Sequence, residues 1–404
     1  MWLRLRLDIG YRDLFQGFVS SFRTGSNSES QFELESLWNG DRVDSLATLS
    51  VRSGFDLLLQ ALELPTESEV LFSAITIPDM PRIAVSHGLV PVPVDVCGAD
   101  FRIDINALRG AIGPRTKLLV VAHLCGARTN LDEVLKIAAE HHIFVIEDDA
   151  QAWCDRTWRG DLRADATLFS FGMIKTATAG GGGLCRISDE TIRTRMRELQ
   201  ATYPVRSNGS FRKKMLLSGF LKTISNRYVF GAILSIARLF GRDINDLLGG
   251  LTRGFNEGDL LAQLRHQPDR GTLRLLARRL RTYPEKHIRR RIKNAHCLIN
   301  RLRLKKSHWE LLSTPHSFWL FPYQTDQAAQ LITELRRHGF DTTQRGRLEV
   351  VVSASGERRC PQATRLLERT VFLPVYPEIT NAALARMADI ILAREDRNQI
   401  PTPG

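Results

Sequence analysis

The chain has 404 residues, 43% hydrophobic and 25% charged, an ordinary globular composition that excludes a disordered, collagen-like or repeat-array protein and suits two or three domains. Fifty-six lysines and arginines against 44 aspartates and glutamates leave a net charge of +12, which favours anionic partners: phosphorylated small molecules, nucleic acid or an acidic membrane surface. Six cysteines without a C-x-x-C pair, an amino end without the apolar core of a signal peptide, and no long uncharged apolar run point to a soluble protein of a reducing, cytoplasmic compartment, with no zinc site or disulfide framework.

Along the chain, strand-like and helix-like segments alternate from about 50 to 190. Short β-branched runs occur at Glu69–Ile77, Pro91–Val96, Lys117–Ala122, Ile143–Ile146 and Ala166–Phe171. Between two of them, Asn130–Glu140 places apolar residues at 131, 134, 135 and 138 on one helical face, with Asn130 set to cap the amino end. Strand, helix, strand in succession predicts crossover units and a mainly parallel sheet, whose ligands bind beyond the carboxyl ends of the strands.

The composition shifts from about 205 to 255, where an apolar stretch carries sparse cations such as Lys222, Arg227 and Arg238. A strongly basic helical stretch follows from 273 to 306. The remainder mixes short strands and helices, among them Gln327–Arg337, as in a smaller α/β domain. The expected division is a large domain over 1–255, with an unusual insert at about 205–255, and a basic helical linker plus smaller domain over 256–404. That insert reads as extra helices over a site mouth or subunit interface, or as a peripheral membrane contact through 211–240, apolar face down with cations at the rim. The basic run reads as a solvated helix face. No nucleic-acid recognition motif accompanies the charge, so nucleic acid is not an expected partner.

The chemistry concentrates in Val145–Ala152, Leu168–Lys175 and the glycine run 180–183. An acidic pair ending a buried strand is costly without a cationic partner. A lysine after the following strand opens on the same side of the sheet and can supply one. An activated amine, a buried carboxylate and a phosphate cradle together are what pyridoxal phosphate chemistry requires.

These residues resemble the DegT/DnrJ/StrS family of aminotransferases. The family's E-D-x-A-Q/H-A element is matched by Glu147–Ala152, D-x-x-x-F-S-F by Asp165–Phe171, and K-x-x-x-x-G-x-G-G by Lys175, Gly180, Gly182 and Gly183. Ser53-Gly54 opening a helix, Ala122–Gly126 and Phe372–Pro377 add to the likeness. The resemblance implies a fold-type-I α/β transferase dependent on pyridoxal 5'-phosphate, with a mainly parallel seven-stranded-type sheet, working as a homodimer. It also implies roles. Lys175 holds the cofactor and moves the substrate proton. Asp148 meets the pyridine nitrogen, Gln151 the phenolic oxygen and Ser170 the phosphate. Gly54 and Phe55 lend backbone N–H groups at a helix start, and Asn256 reaches the phosphate from the partner subunit.

The sequence departs from the family pattern at Phe55, where threonine is usual, at Ile77 for a ring-stacking aromatic, at Cys125 for tyrosine, and at Gly181 for an acid; Gly258 stands in an element whose arginine is absent. His123, at a family position, reads as structural. The implied reaction moves an amino group from glutamate to a keto sugar carried on a nucleotide. The alternatives are a dehydratase using the same cofactor, against which Lys175 speaks, and a non-catalytic binding or regulatory relative of the same fold.

Overall fold

The β-branched runs become strands of one sheet. In this computed structural model, which describes residues 1–3, 6–40, 42–98, 101–226, 259–304, 316–353 and 359–399, seven strands lie in the order Ser45–Thr48, Gly183–Ile187, Ala166–Ser170, Phe144–Asp148, Thr116–Ala122, Glu69–Ser73, Val90–Val94. Only Gly183–Ile187 runs against its neighbours. The other junctions are parallel, as the alternating pattern requires. Nearly every residue in these strands is buried, because helices cover both faces. The sheet is thus a rigid floor with its carboxyl ends open on one edge.

The register fixes what meets at that edge. Ala122 pairs with Asp148, and Asp148 with Leu168, so His123, Asp148 and Ser170 end three adjacent strands. The helix after Asn130 runs Asp132–Glu140, and the Asn130 carboxamide oxygen accepts the Asp132 N–H at 2.7 Å, capping it from outside the first turn.

The basic stretch from 273 is two helices, Arg270–Thr282 and Glu285–Arg301. Tyr283 adopts an extended ψ of 125° ahead of Pro284, which disfavours helical geometry in the residue before it and cannot donate an N–H. The first helix shares an apolar cluster with the amino-terminal helices, through Leu273, Leu276 and Leu280 beside Leu14 and Leu34. The second presents Ala295, Leu298 and Ile299 to a three-stranded antiparallel sheet of Phe321–Gln324, Thr370–Leu373 and Thr343–Gln344, flanked by helices Ala328–Arg337 and Asn381–Gln399. Trp2 donates its N–H to Gly339 O at 2.7 Å, just past helix Ala328–Arg337, and Leu7 and Ile9 join the apolar cluster that holds Phe169 and Leu184 of the large sheet.

Of the insert read from the sequence, helix Asn208–Ile224 is described; residues 227–258, with Asn256 and Gly258, lie outside the described residues. Among the described residues no helix is long and apolar enough to cross a membrane.

Candidate functional site

Asp148 is the last residue of its strand and is buried. Its Oδ1 accepts the Ala150 N–H at 3.0 Å, and its backbone oxygen accepts the His123 N–H at 3.1 Å. Loss of water pushes this carboxyl above the ordinary range; the Ala150 N–H and the charge of Lys175 pull the other way.

Lys175 lies five residues beyond strand Ala166–Ser170 in a tight turn, its N–H on Gly172 O at 3.0 Å. Burial lowers its amine to about 8; Asp148 acts to raise it, and Arg52 and Arg347 push it further down. The ammonium also sits 4.4 Å from the centre of the Trp319 ring. Asp148 and Lys175 therefore face one another electrostatically at the sheet edge, with desolvation favouring the neutral form of each.

Only one of the three consecutive acids serves this pair. Strand alternation sends Glu147 to the opposite face, where its Oε1 takes His123 Nε2 at 2.8 Å and its Oε2 takes the Asp161 N–H and the Thr167 hydroxyl. Thr129 N–H donates to His123 Nδ1 at 3.0 Å, which assigns the neutral Nε2–H tautomer. Asp149, pushed up to about 8 by burial and by Glu147, completes a buried acid layer beneath the floor. His123 is part of that layer, a structural place.

Gln151 reaches sideways: its Oε1 accepts the Cys125 N–H at 2.9 Å. Cys125 has a left-handed φ of 59°, and Gly126, with φ of 94°, could not carry a Cβ, which would fall 2.4 Å from Ser317 Oγ. That turn bonds Ser317 N–H to Gly126 O at 2.8 Å and Leu320 N–H to Cys125 O at 3.2 Å, delivering Trp319 to the lysine. Ser170 ends its strand half-buried opposite Gly183, and its hydroxyl has no hydrogen-bond partner among the described residues.

The helix near Gly54 begins earlier than Ser53-Gly54 suggests. It runs Val51–Leu62, capped by Ser50, whose Oγ accepts the Ser53 N–H at 3.2 Å. Gly54 N–H is already spent on Ser50 O at 3.0 Å, and Phe55 follows it within the helical ladder. This corrects the expectation that these two residues offer free N–H donors. Packing accounts for both residues. A Cβ at Gly54 would lie 2.3 Å from Cys185 Sγ, and the Phe55 ring is buried edge-on against Phe72. The glycine run closes on the same helix start: a Cβ on Gly183 would meet the Ser50 carbonyl carbon at 2.7 Å.

Four residues not singled out from the sequence hold the lysine loop. Asp8 accepts the Ala177 N–H at 3.0 Å and the Tyr283 hydroxyl at 2.6 Å. Burial would raise this carboxyl, but His287, Tyr283, Arg279 and Arg291 outweigh it and hold it at about 2. Arg279 donates to Thr178 O at 3.2 Å, Arg291 to the Thr176 hydroxyl at 3.2 Å, and Trp319 Nε1 to Ile174 O at 3.0 Å. Ala177, with φ of 54°, is bent into place by this set.

Comparison with known proteins gives the family and the fold. Residues 20–226 match the model of the DegT/DnrJ/EryC1/StrS aminotransferase family. Among curated proteins, the chain is 32% identical over 166 residues to 3-amino-5-hydroxybenzoate synthase of Amycolatopsis mediterranei, covering 40% of this chain and 42% of that one. It is 31% identical over 172 residues to the spore coat polysaccharide biosynthesis protein SpsC of Bacillus subtilis, covering 42% and 44%. The alignments thus span less than half the length of these relatives. Among solved structures, the aminotransferase TlmJ from Streptoalloteichus hindustanus superposes with a TM-score of 0.72 at 17% identity over 99% of this chain and 100% of that one. DesI in the presence of its TDP-sugar product gives 0.68 at 19% over 98% and 93%. NtdA from Bacillus subtilis with bound cofactor PMP gives 0.67 at 19% over 96% and 83%. The fold is the one these transferases share.

Proposed function

Because the chain belongs to the DegT/DnrJ/EryC1/StrS aminotransferase family, we propose that it moves an amino group from glutamate to a keto sugar linked to a nucleotide, using pyridoxal 5'-phosphate held between Asp148 and Lys175. The observation that carries this reading is the facing of a depressed amine and a buried carboxylate at one strand edge.

The residues present fit the cofactor. Lys175, part neutral near pH 8, suits its aldehyde; Asp148 suits its ring nitrogen; the uncommitted Ser170 hydroxyl and the first turn of helix Val51–Leu62 suit its phosphate. When bound, pyridoxal phosphate supplies an electron sink for charge developing on the substrate carbon. The protein's part is to place protons. Asp148 would hold a proton on the ring nitrogen, and Lys175, on its tied loop, would take and return the substrate proton. Gln151 is fixed through Oε1 by Cys125 N–H, which leaves its NH2 as the end to meet a ring oxygen. Trp319 lies against the lysine amine.

The nucleotide part of the reading draws on charge: Arg52, which is also paired with Asp79, and Arg347 lie close enough to Lys175 to depress it, and they are the cations a diphosphate would meet. DesI, a structural neighbour, was solved with a TDP-sugar product. The retained lysine favours transamination over dehydration. The same reading takes the working form to be a homodimer, as the family resemblance implies, with Asn256 given to the partner's phosphate.

The test is to load the purified protein with pyridoxal phosphate and assay glutamate consumption against a panel of keto-sugar nucleotides. 2-Oxoglutarate should form in step with an amino sugar and vanish in Lys175→Ala. A protein that takes up no cofactor overturns the reading.

A further inference from the structure

Helices Tyr11–Ser20 and Asn208–Ile224 lie side by side and antiparallel. Tyr11 Oη is 3.0 Å from Thr223 Oγ1 at one end, and the Arg212 guanidinium lies 4.7 Å from the Phe22 ring at the other. Each buries one face: Leu14 and Gly17 on the first, Phe211, Met215, Ser218 and Leu221 on the second. Their outer faces are apolar. Tyr11, Phe15, Val19 and Phe22 recur at helical spacing and stand exposed, Phe15 at 68%, beside exposed Leu216 and Phe220 on the neighbouring helix.

The charges around this stripe have one sign. Helix Asn208–Ile224 carries Arg212, Lys213, Lys214 and Lys222 and no acid. The single acid of the first helix, Asp13, is paired with Arg278 at 3.2 Å and Arg279 at 2.8 Å. Glu378, which faces Lys222, is paired with Arg6 at 3.4 Å. Arg212 and Lys222 lie over the terminal rings of the stripe, and Lys213, Arg12 and Arg23 are exposed at its edge. A self-complementary contact with a second copy would set these cations against themselves. An anionic lipid surface takes both the rings and the cations.

We infer that this two-helix face docks on an anionic membrane surface, its aromatic stripe entering the headgroup boundary and its cations meeting lipid phosphates and carboxylates. The docking is independent of the reaction proposed above. The site edge is formed by other residues, so lipid binding and catalysis fail separately.

Flotation of the full chain with phosphatidylcholine vesicles, with and without phosphatidylserine, tests it. Binding is expected only with the anionic lipid and is lost at high salt. Arg212→Gln with Lys213→Gln should weaken it about twenty-fivefold, at about fivefold per cation. Phe15→Glu with Phe220→Glu should abolish it without lowering the thermal midpoint, since both rings are exposed. A Phe15→Trp probe should shift its emission to the blue on the same vesicles. Equal binding to neutral vesicles, or no loss in the Glu variant, overturns the inference. So does light scattering in which the Glu variant alone splits an oligomer, because the occupant would then be a second copy.

Discussion

The depressed amine of Lys175 can be measured on the protein alone. Held at about 8 instead of 10.5, the lysine is roughly one-tenth neutral at pH 7, where an ordinary lysine is neutral in only about three parts in ten thousand. That is on the order of 300-fold more free amine, equivalent to about 3 kcal/mol taken from the charged form by burial and by Arg52 and Arg347. Asp148 works in the opposite direction, so removing its charge must lower the lysine further. An opposite charge at close range is worth about one to three pKa units, which puts the midpoint of Asp148→Asn at about 7 or below. The assay is reductive trapping of pyridoxal phosphate on the cofactor-free chain from pH 6 to 10, with Lys175→Ala as the blank. The rate should rise with a midpoint at about 8 in the natural protein and at lower pH in the variant. A midpoint near 10.5, or an upward move in Asp148→Asn, refutes the account of the pair.

Two further outcomes follow from the surrounding structure. Asp8, held at about 2 against an ordinary 3.8, gives stability that is fully present above the unfolded value and lost as pH falls through the folded one. Asp8→Asn should therefore cost about 2 kcal/mol at neutral pH by urea titration, and its deficit should disappear between about pH 4 and 2. Gly54→Ala puts a methyl 2.3 Å from Cys185 Sγ, an overpacking cost of about 1–3 kcal/mol, and Cys185→Ala in the same chain should restore part of it. If Gly54→Ala left the melting point unchanged and weakened only cofactor binding, the packing explanation of that glycine would fall.

The strands and the central pair were legible because their signals are local. Uninterrupted β-branched runs can be buried only in a covered parallel sheet, and Asp148 and Lys175 follow directly from adjacent strand ends. The break at Tyr283-Pro284 was present in the sequence too, but the density of arginine on either side makes two helices look like one. The partners of the lysine loop had no such signal. Asp8 sits in a short apolar and basic stretch at the amino end, and its contacts to Ala177 and Tyr283 span 169 and 275 residues. Nothing in the local pattern distinguishes it from a surface acid.

Gly54 and Phe55 illustrate a different limit. A small residue followed by a large one at a helix start is what a phosphate cradle needs, and it is equally what a helix needs when pressed against a neighbouring strand. The string of letters is the same. Only the position of Ser50, one turn back and already capping, decides that the Gly54 N–H is committed within the helix. The same ambiguity governs the three consecutive acids: by alternation only one can face the lysine, yet register, not composition, selects Asp148 and sends Glu147 down to His123. A motif therefore names the residue types a site requires, and the sheet register determines which of them are available to it.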